Sequence, residues 1–242
     1  MLASGMDFSG QTALVTGASK GIGLAVARAL LAEGMNVVMG ARDEAALTAA
    51  AEGAAAAGAG RVLPVTLDVR EPASLEAAVA AALSRFGSLD LLVANAGVGA
   101  RGAIDELDAE TWHRVIDTNL TGVFNSVKAV IPALKASRGM IVTIGSLAGV
   151  NFFAGGAAYN ASKFGLLGFS QAIMLDLRDH GIRVSTIMPG SVATGFNDRT
   201  VSADDAWKIA PEDIAATVLY LLGMPARTLP SKIEVRPART HL

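Results

Sequence analysis

Thr12-Ala13-Leu14-Val15-Thr16-Gly17-Ala18-Ser19-Lys20-Gly21-Ile22-Gly23 passes from a short apolar run, through three glycines, directly into an amphipathic stretch over Ile22–Glu33. Lacking a Cβ, Gly17, Gly21 and Gly23 allow a tight turn and a close approach of backbone. The helix that follows offers unpaired N–H groups and the positive end of its dipole, which suits a pyrophosphate. A bare glycine triplet is as compatible with a plain structural turn. Its position between a strand and a helix is what favours a dinucleotide site. The spacing is Gly-x-x-x-Gly-x-Gly rather than Gly-x-Gly-x-x-Gly, which points to one branch of the dinucleotide folds.

Outward from this turn, short apolar runs alternate with longer helical ones. Strands are read at Thr12–Val15, Asn36–Met39, Arg61–Thr66, Leu89–Ala94, Met140–Ile144, Arg183–Met188 and Lys232–Val235. Helices are read at Ile22–Glu33, Glu44–Ala57, Ala73–Phe86, Ala109–Lys135, Ala157–Asp179 and Pro211–Leu222. Continuous apolar strands separated by helices indicate a parallel sheet covered on both faces. This is a doubly wound α/β architecture, with ligands at the carboxyl ends of the strands. Ala45–Gly60, mostly alanine broken by Gly53 and Gly58, reads as a surface helix and turn. No repeat, charged linker or proline-rich hinge marks a second domain. Residues 1–242 are therefore read as one domain with a core of about 11–235, and Pro237–Leu242 as an end that frays or packs on a partner subunit.

At 242 residues and 52% hydrophobic content, the chain can bury a sizeable core. The net charge is −2 with acids and bases interspersed, so neither nucleic acid nor a cationic partner is expected, and a small molecule is. There is no cysteine, which excludes disulfides and thiolate metal sites. Three scattered histidines, His113, His180 and His241, do not suggest a metal site, so the expected cofactor is organic and no metal is expected. Gly139–Ser162 carries no charged residue, but its glycines and the polar Ser146, Asn151 and Asn160 argue against a membrane span. A buried strand, a loop carrying an active site and a helix start fit it better. Met1–Asp7 lacks a basic region followed by a long apolar stretch, so a cytoplasmic location is expected.

The chemistry is concentrated in Tyr159-Asn160-Ala161-Ser162-Lys163, with Ser146 upstream at the end of a strand-like run. Positions i and i+4 of a helix share a face, so the Lys163 ammonium sits beside the Tyr159 phenol. Both groups ordinarily titrate near about 10, and a fixed neighbouring cation favours tyrosinate, bringing the phenol toward a range useful for acid/base work. Taken alone, a Tyr and a Lys at this spacing are more often a half-buried ring and a solvated amine.

In order along the chain, Thr16-Gly17-x-x-x-Gly21-Ile22-Gly23, Asn95-Ala96-Gly97, Ser146, Tyr159-x-x-x-Lys163 and Pro189-Gly190 resemble the motif set of the short-chain dehydrogenase/reductase family, over about Gln11–Val235. The resemblance implies a Rossmann fold with a seven-stranded parallel sheet in the order 3-2-1-4-5-6-7. It implies that Tyr159 is the acid/base, that Ser146 hydrogen-bonds the same substrate oxygen, and that Lys163 both favours tyrosinate and binds the nicotinamide ribose. It implies that Asn119, in Asp117-Thr118-Asn119-Leu120-Thr121-Gly122, interrupts a long helix and holds a water linking the lysine to solvent. Read by itself, Asn119 is equally a solvated or capping residue. For the cofactor, the resemblance implies a phosphate turn of Gly17, Ser19, Lys20, Gly21, Ile22 and Gly23, and an adenine contact at Asp68 and Val69. It further implies close passage over Asn95, Ala96 and Gly97, and a carboxamide held by Pro189, Gly190, Val192 and Thr194. The family often has another asparagine where this chain has Ala94.

NAD-dependent relatives usually end the second strand with an aspartate, and Ala41 stands there instead. Arg42 follows, and Lys20 lies in the glycine turn, so two cations could meet a 2′-phosphate. NADP(H) is therefore expected over NAD(H), with Asp43 beside Arg42 as a counterweight. A mobile lid is expected over about 196–210. Val98, Leu147, Val150, Phe152 and Phe153 could line an apolar pocket or equally be core. No arginine is evident near the motifs to hold a substrate anion, which suggests a neutral ketone or secondary alcohol. The expected activity is that of a carbonyl reductase or alcohol dehydrogenase. The alternatives are a 3-oxoacyl-[carrier protein] reductase, although the ending Ile233–Leu242 lacks the aspartate and two glycines common there, and a non-catalytic NADP(H)-sensing protein on the same fold. Relatives assemble through the helices after strands four and five, so a homodimer or homotetramer is expected.

Overall fold

The computed structural model describes residues 8–56, 58, 60–196 and 199–239. Four sequence-based expectations lie wholly or partly outside them: the leader reading of Met1–Asp7, the end of the second helix at Ala57, Asn197 and Asp198 of the expected lid, and the tail Thr240–Leu242. The strands are β1 (Thr12–Thr16), β2 (Asn36–Ala41), β3 (Val62–Thr66), β4 (Leu91–Ala94), β5 (Met140–Ile144), β6 (Arg183–Pro189) and β7 (Lys232–Val235). All pair in parallel, in the order β3-β2-β1-β4-β5-β6-β7. The sheet is the one expected, with strand ends within two residues of those read from the sequence.

The helices are α1 (Gly21–Ala32), α2 (Glu44–Ala55), α3 (Pro72–Phe86), α4 (Ala109–Ile116), α5 (Gly122–Ser137), α6 (Ala157–Leu177) and α7 (Pro211–Leu222). On one face of the sheet Ala13, Val15, Val37, Met39, Val93 and Val142 pack against α1, α2 and α7. On the other, Leu14, Val38, Leu92, Ile141 and Val184 pack against α3, α5 and α6. Both faces of a central strand are thus apolar, which is why these strands read as continuous runs without alternation. β3 and β7, at the edges, are only partly covered. Among the described residues, no helix is long and apolar enough to cross a membrane.

Between α4 and α5 the chain departs from the continuous helix expected over Ala109–Lys135. Asp117–Thr121 form a π-helical turn with Asn119 fully buried at its centre. The interruption falls where the family resemblance placed it, and the contacts of Asn119 belong to the site described next.

Candidate active site

β1 ends in the glycine turn at the centre of the sheet. Gly17 and Gly21 have φ of 67° and 57°, in the left-handed region that only glycine enters at little cost. Gly23 serves packing: a Cβ there would lie 2.3 Å from the Gly17 carbonyl oxygen and 2.5 Å from Asn95 Nδ2. Gly23→Ala is therefore expected to lower stability by about 1–3 kcal/mol, read as a shifted urea midpoint. An unchanged midpoint would mean that the turn can open without loss. Lys20 occupies the position before α1 without capping it through its side chain, and no acidic residue stands in the first turn. Ser19, Gly21 and Ile22 are partly exposed around this helix end. A helix start with no side-chain cap, entered through a turn with glycines at 17, 21 and 23, fits a phosphate.

The turn is braced from β4. Asn95 Nδ2 donates to the carbonyls of Thr16 (2.9 Å) and Gly17 (3.1 Å), and the Thr16 hydroxyl accepts from the amides of Asn95 and Ala96. Sequence reasoning gave Asn95 a cofactor role and missed Thr16; the side chains hold β1 and β4 at the mouth of the turn. Past Gly97, Val98 forms a two-way pair with Asn119: its amide donates to Oδ1 and its carbonyl accepts from Nδ2, each at 2.8 Å. Asn119 Nδ2 also reaches the Ser162 hydroxyl (3.1 Å), which donates to the Tyr159 carbonyl (2.8 Å). The solvated or capping reading of Asn119 is thereby excluded. Its side-chain amide reaches across to the Val98 backbone from within the π-helical turn.

β5 delivers Ser146, whose hydroxyl accepts from the Ala148 amide (3.1 Å) and acts on the Tyr159 phenol in the direction that favours its ionised form. Lys163 lies one helical turn on, with Nζ 5.8 Å from the Tyr159 ring centroid and donating to the Ile144 carbonyl at 3.0 Å. The trio expected from the sequence is assembled. Its electrostatics differ from expectation, because burial pushes the Tyr159 phenol up from its ordinary value and the Ser146 hydroxyl only partly opposes this. Burial also brings Lys163 down to about 8, so the ammonium is itself the costly form here.

Asp68, expected from the family resemblance to meet adenine, is not open as the sequence suggested. Arg70 Nε lies 3.0 Å from both carboxylate oxygens, and this ion pair holds the carboxyl below its ordinary range. The Val69 carbonyl accepts from buried Asn125 (3.0 Å), tying this loop to α5. Ala41 is buried at the end of β2, Arg42 is exposed, and the Asp43 carboxylate is turned to the start of α2, accepting from the Ala46 amide. At the end of β6, Pro189 is followed by Gly190, whose amide donates to Val235. Val192 pairs with Ile209, which closes the loop between them at its base, and the Thr194 methyl lies over Gly21. The strand ends carrying the glycine turn, Ser146 and Thr194 thus meet at one mouth.

Asn160 was also missed. Its Nδ2 donates to the carbonyls of Ala148 (2.7 Å) and Asn151 (2.8 Å), fixing the loop between Ser146 and Tyr159. A polar residue on the buried side of a helix, adjacent to the candidate phenol, was the available signal. Of the apolar candidates, Phe152 is 87% exposed and Phe153 39%, so neither is core. Phe196, from the expected lid, lies against Tyr159 with ring centroids 6.3 Å apart.

The family described as short chain dehydrogenase matches residues 11–205. A trans-4-hydroxycyclohexanecarboxylate dehydrogenase of Sinomonas cyclohexanicum is 43% identical over 189 residues, 76% of this chain and 73% of that protein. A metagenomic short-chain oxidoreductase solved in complex with NADP superposes with a TM-score of 0.83 at 38% identity, covering 96% of this chain and 99% of that one. A 3-ketoacyl-(acyl-carrier-protein) reductase from Brucella melitensis complexed with NADH gives 0.86 at 28% identity, covering 96% and 98%. With sheet order, glycine turn and these likenesses in agreement, the chain belongs to the short-chain dehydrogenase/reductase family of oxidoreductases.

Proposed function

We propose that this chain is an NADP(H)-dependent oxidoreductase interconverting a ketone and a secondary alcohol, with Tyr159 as the acid/base. The observation that carries this reading is the buried Tyr159 phenol beside Ser146 and flanked by Lys163. In reduction the phenol gives its proton to the carbonyl oxygen, and in oxidation the tyrosinate takes the hydroxyl proton. The Ser146 hydroxyl orients the same oxygen, and Lys163 steadies the tyrosinate while holding the ribose hydroxyls. When bound, the nicotinamide supplies or accepts the hydride at C4. Gly17, Ser19, Lys20, Gly21, Ile22 and Gly23 would hold the pyrophosphate, with Asn95, Ala96 and Gly97 beneath it. Pro189, Gly190, Val192 and Thr194 would hold the carboxamide, and Val69 and Asp68 the adenine, the latter sharing its carboxylate with Arg70. Asn119, through Ser162 and the Tyr159 carbonyl, sets the phenol and keeps a proton path from Lys163 to solvent. A panel of ketones and alcohols, followed by NADPH absorbance, tests the activity: reduction of none of them would sink the reading.

Cofactor choice is part of the proposal. Ala41 leaves no carboxylate to repel a 2′-phosphate, Arg42 stands exposed beside it, and Asp43 is engaged in capping α2. NADPH is expected to exceed NADH in kcat/KM by about 10–100-fold, the worth of one or two charge-assisted contacts. Ala41→Asp should narrow or invert that ratio in steady-state kinetics. Equal or better efficiency of wild type with NADH would overturn the preference.

The same proposal takes residues 1–242 as one domain, places a lid at about 196–210 over the substrate, and assigns a cytoplasmic homodimer or homotetramer. A second reading, a 3-oxoacyl-[carrier protein] reductase, is favoured by the likeness to the Brucella enzyme. Turnover of an acetoacetyl thioester faster than any simple ketone would select it.

A further inference from the structure

We propose that Arg101 is an anion-binding residue at the mouth of this site and that the substrate is a keto acid, or the matching hydroxy acid, whose carboxylate it holds. The proposal rests on the redox reading above and revises the expectation of a neutral substrate. Arg101 follows Asn95-Ala96-Gly97-Val98, on the loop that leaves the carboxyl end of β4. That loop docks on the segment between Ser146 and Tyr159, where the Gly102 amide donates to the Gly155 carbonyl at 3.0 Å. The two loops are far apart in sequence, so this arginine could not be placed from motif spacing. Its guanidinium carbon lies 5.3 Å from the centroid of the Phe153 ring. Phe153 in turn is fixed to the candidate catalytic helix, its amide donating to Asn160 Oδ1 at 3.4 Å, next to Tyr159.

A guanidinium over the Phe153 ring is attracted to the ring's π face and carries five N–H donors, more than that contact uses, so donors remain for a planar carboxylate. The ring also restrains a side chain that would otherwise be ordered only on binding. Arg101 is exposed and forms no ion pair among the described residues, although Asp105 and Glu106 follow on the same loop. Phe153 adds an apolar ring at Arg101 and Phe196 adds one at Tyr159. A substrate with a carbonyl at one end, an apolar body and a carboxylate at the other matches this arrangement.

The test compares 4-acetylbenzoate, 3-acetylbenzoate and levulinate with their methyl esters as substrates of the wild-type enzyme and Arg101→Gln. At least one acid is expected to exceed its ester in kcat/KM, chiefly through KM. In Arg101→Gln that acid-to-ester ratio should fall by about 10–100-fold, as for loss of a charge-assisted contact, with partial recovery in Arg101→Lys. Esters preferred throughout, or a ratio that Arg101→Gln leaves intact, would overturn the proposal. Calorimetry of the three acids with the NADPH-loaded protein separates it from the redox reading. Binding that weakens in Arg101→Gln supports the anion site even if no ketone is reduced, and absence of binding by all three overturns it.

Discussion

Tyr159→Phe is expected to lower kcat for ketone reduction by about a thousandfold or more while leaving NADPH affinity within about tenfold of wild type. The substitution removes only the phenol oxygen. The ring stays against Phe196 and Lys163, so the shape of the mouth is kept and only the proton is lost. Stopped-flow turnover and fluorescence titration of NADPH together check this, and retention of most activity would overturn the mechanism. The same oxygen makes a pH prediction. Burial pushes the phenol above its ordinary 10, with the Ser146 hydroxyl opposing. In the cofactor-free protein Tyr159 should therefore ionise above 10. With two tyrosines in the chain, the ultraviolet difference between wild type and Tyr159→Phe isolates it. Alcohol oxidation should rise with pH as the base form appears, and a flat alkaline profile with chemistry rate-limiting would contradict a tyrosinate base.

Lys163→Met should abolish turnover and yet stabilise the cofactor-free protein at neutral pH. Burial brings this amine to about 8 from its ordinary 10.5, so the folded protein binds the proton less tightly than the unfolded chain. Below about 8 both states are protonated and the full cost of burying the ammonium is present. Between about 8 and 10.5 the folded form sheds the proton and the cost fades, so this contribution to stability rises with pH. Replacing the ammonium by a thioether chain of similar length removes the cost but also the hydrogen bond to the Ile144 carbonyl. The net gain expected at pH near 7 is about 2 kcal/mol, or about 4–8 °C in Tm. Calorimetric Tm of variant and wild type at several pH values would check it. The variant's advantage should shrink on going to alkaline pH, and a lower Tm at neutrality would show that the ammonium is not strained by its surroundings. Stability lost for a charge held at a reactive centre is a common trade.

Much of the fold was legible because each piece of it is local. Central strands wedged between two helical layers must be apolar on both faces, and β1, β4 and β5 show that as unbroken runs. The glycine turn was legible for a similar reason, since positive φ and close approach exclude other residues at Gly17, Gly21 and Gly23. The break at Asn119 had no such local signature. Helical periodicity continues through Asp117–Thr121, and the π-helical turn accompanies a side-chain amide that reaches across to Val98 on a different loop.

The sequence by itself determined the sheet, its order once the motifs were recognised, and the pairing of Tyr159 with Lys163, because these follow from periodicity and from spacing within one element. Tertiary structure decided what those groups are worth. Depth of burial makes the phenol harder, not easier, to ionise and puts Lys163 near 8. The meeting of the loop after β4 with the loop before α6 sets Arg101 on Phe153. Desolvation and contacts between loops distant in sequence depend on how the layers close, and no spacing along the chain encodes them.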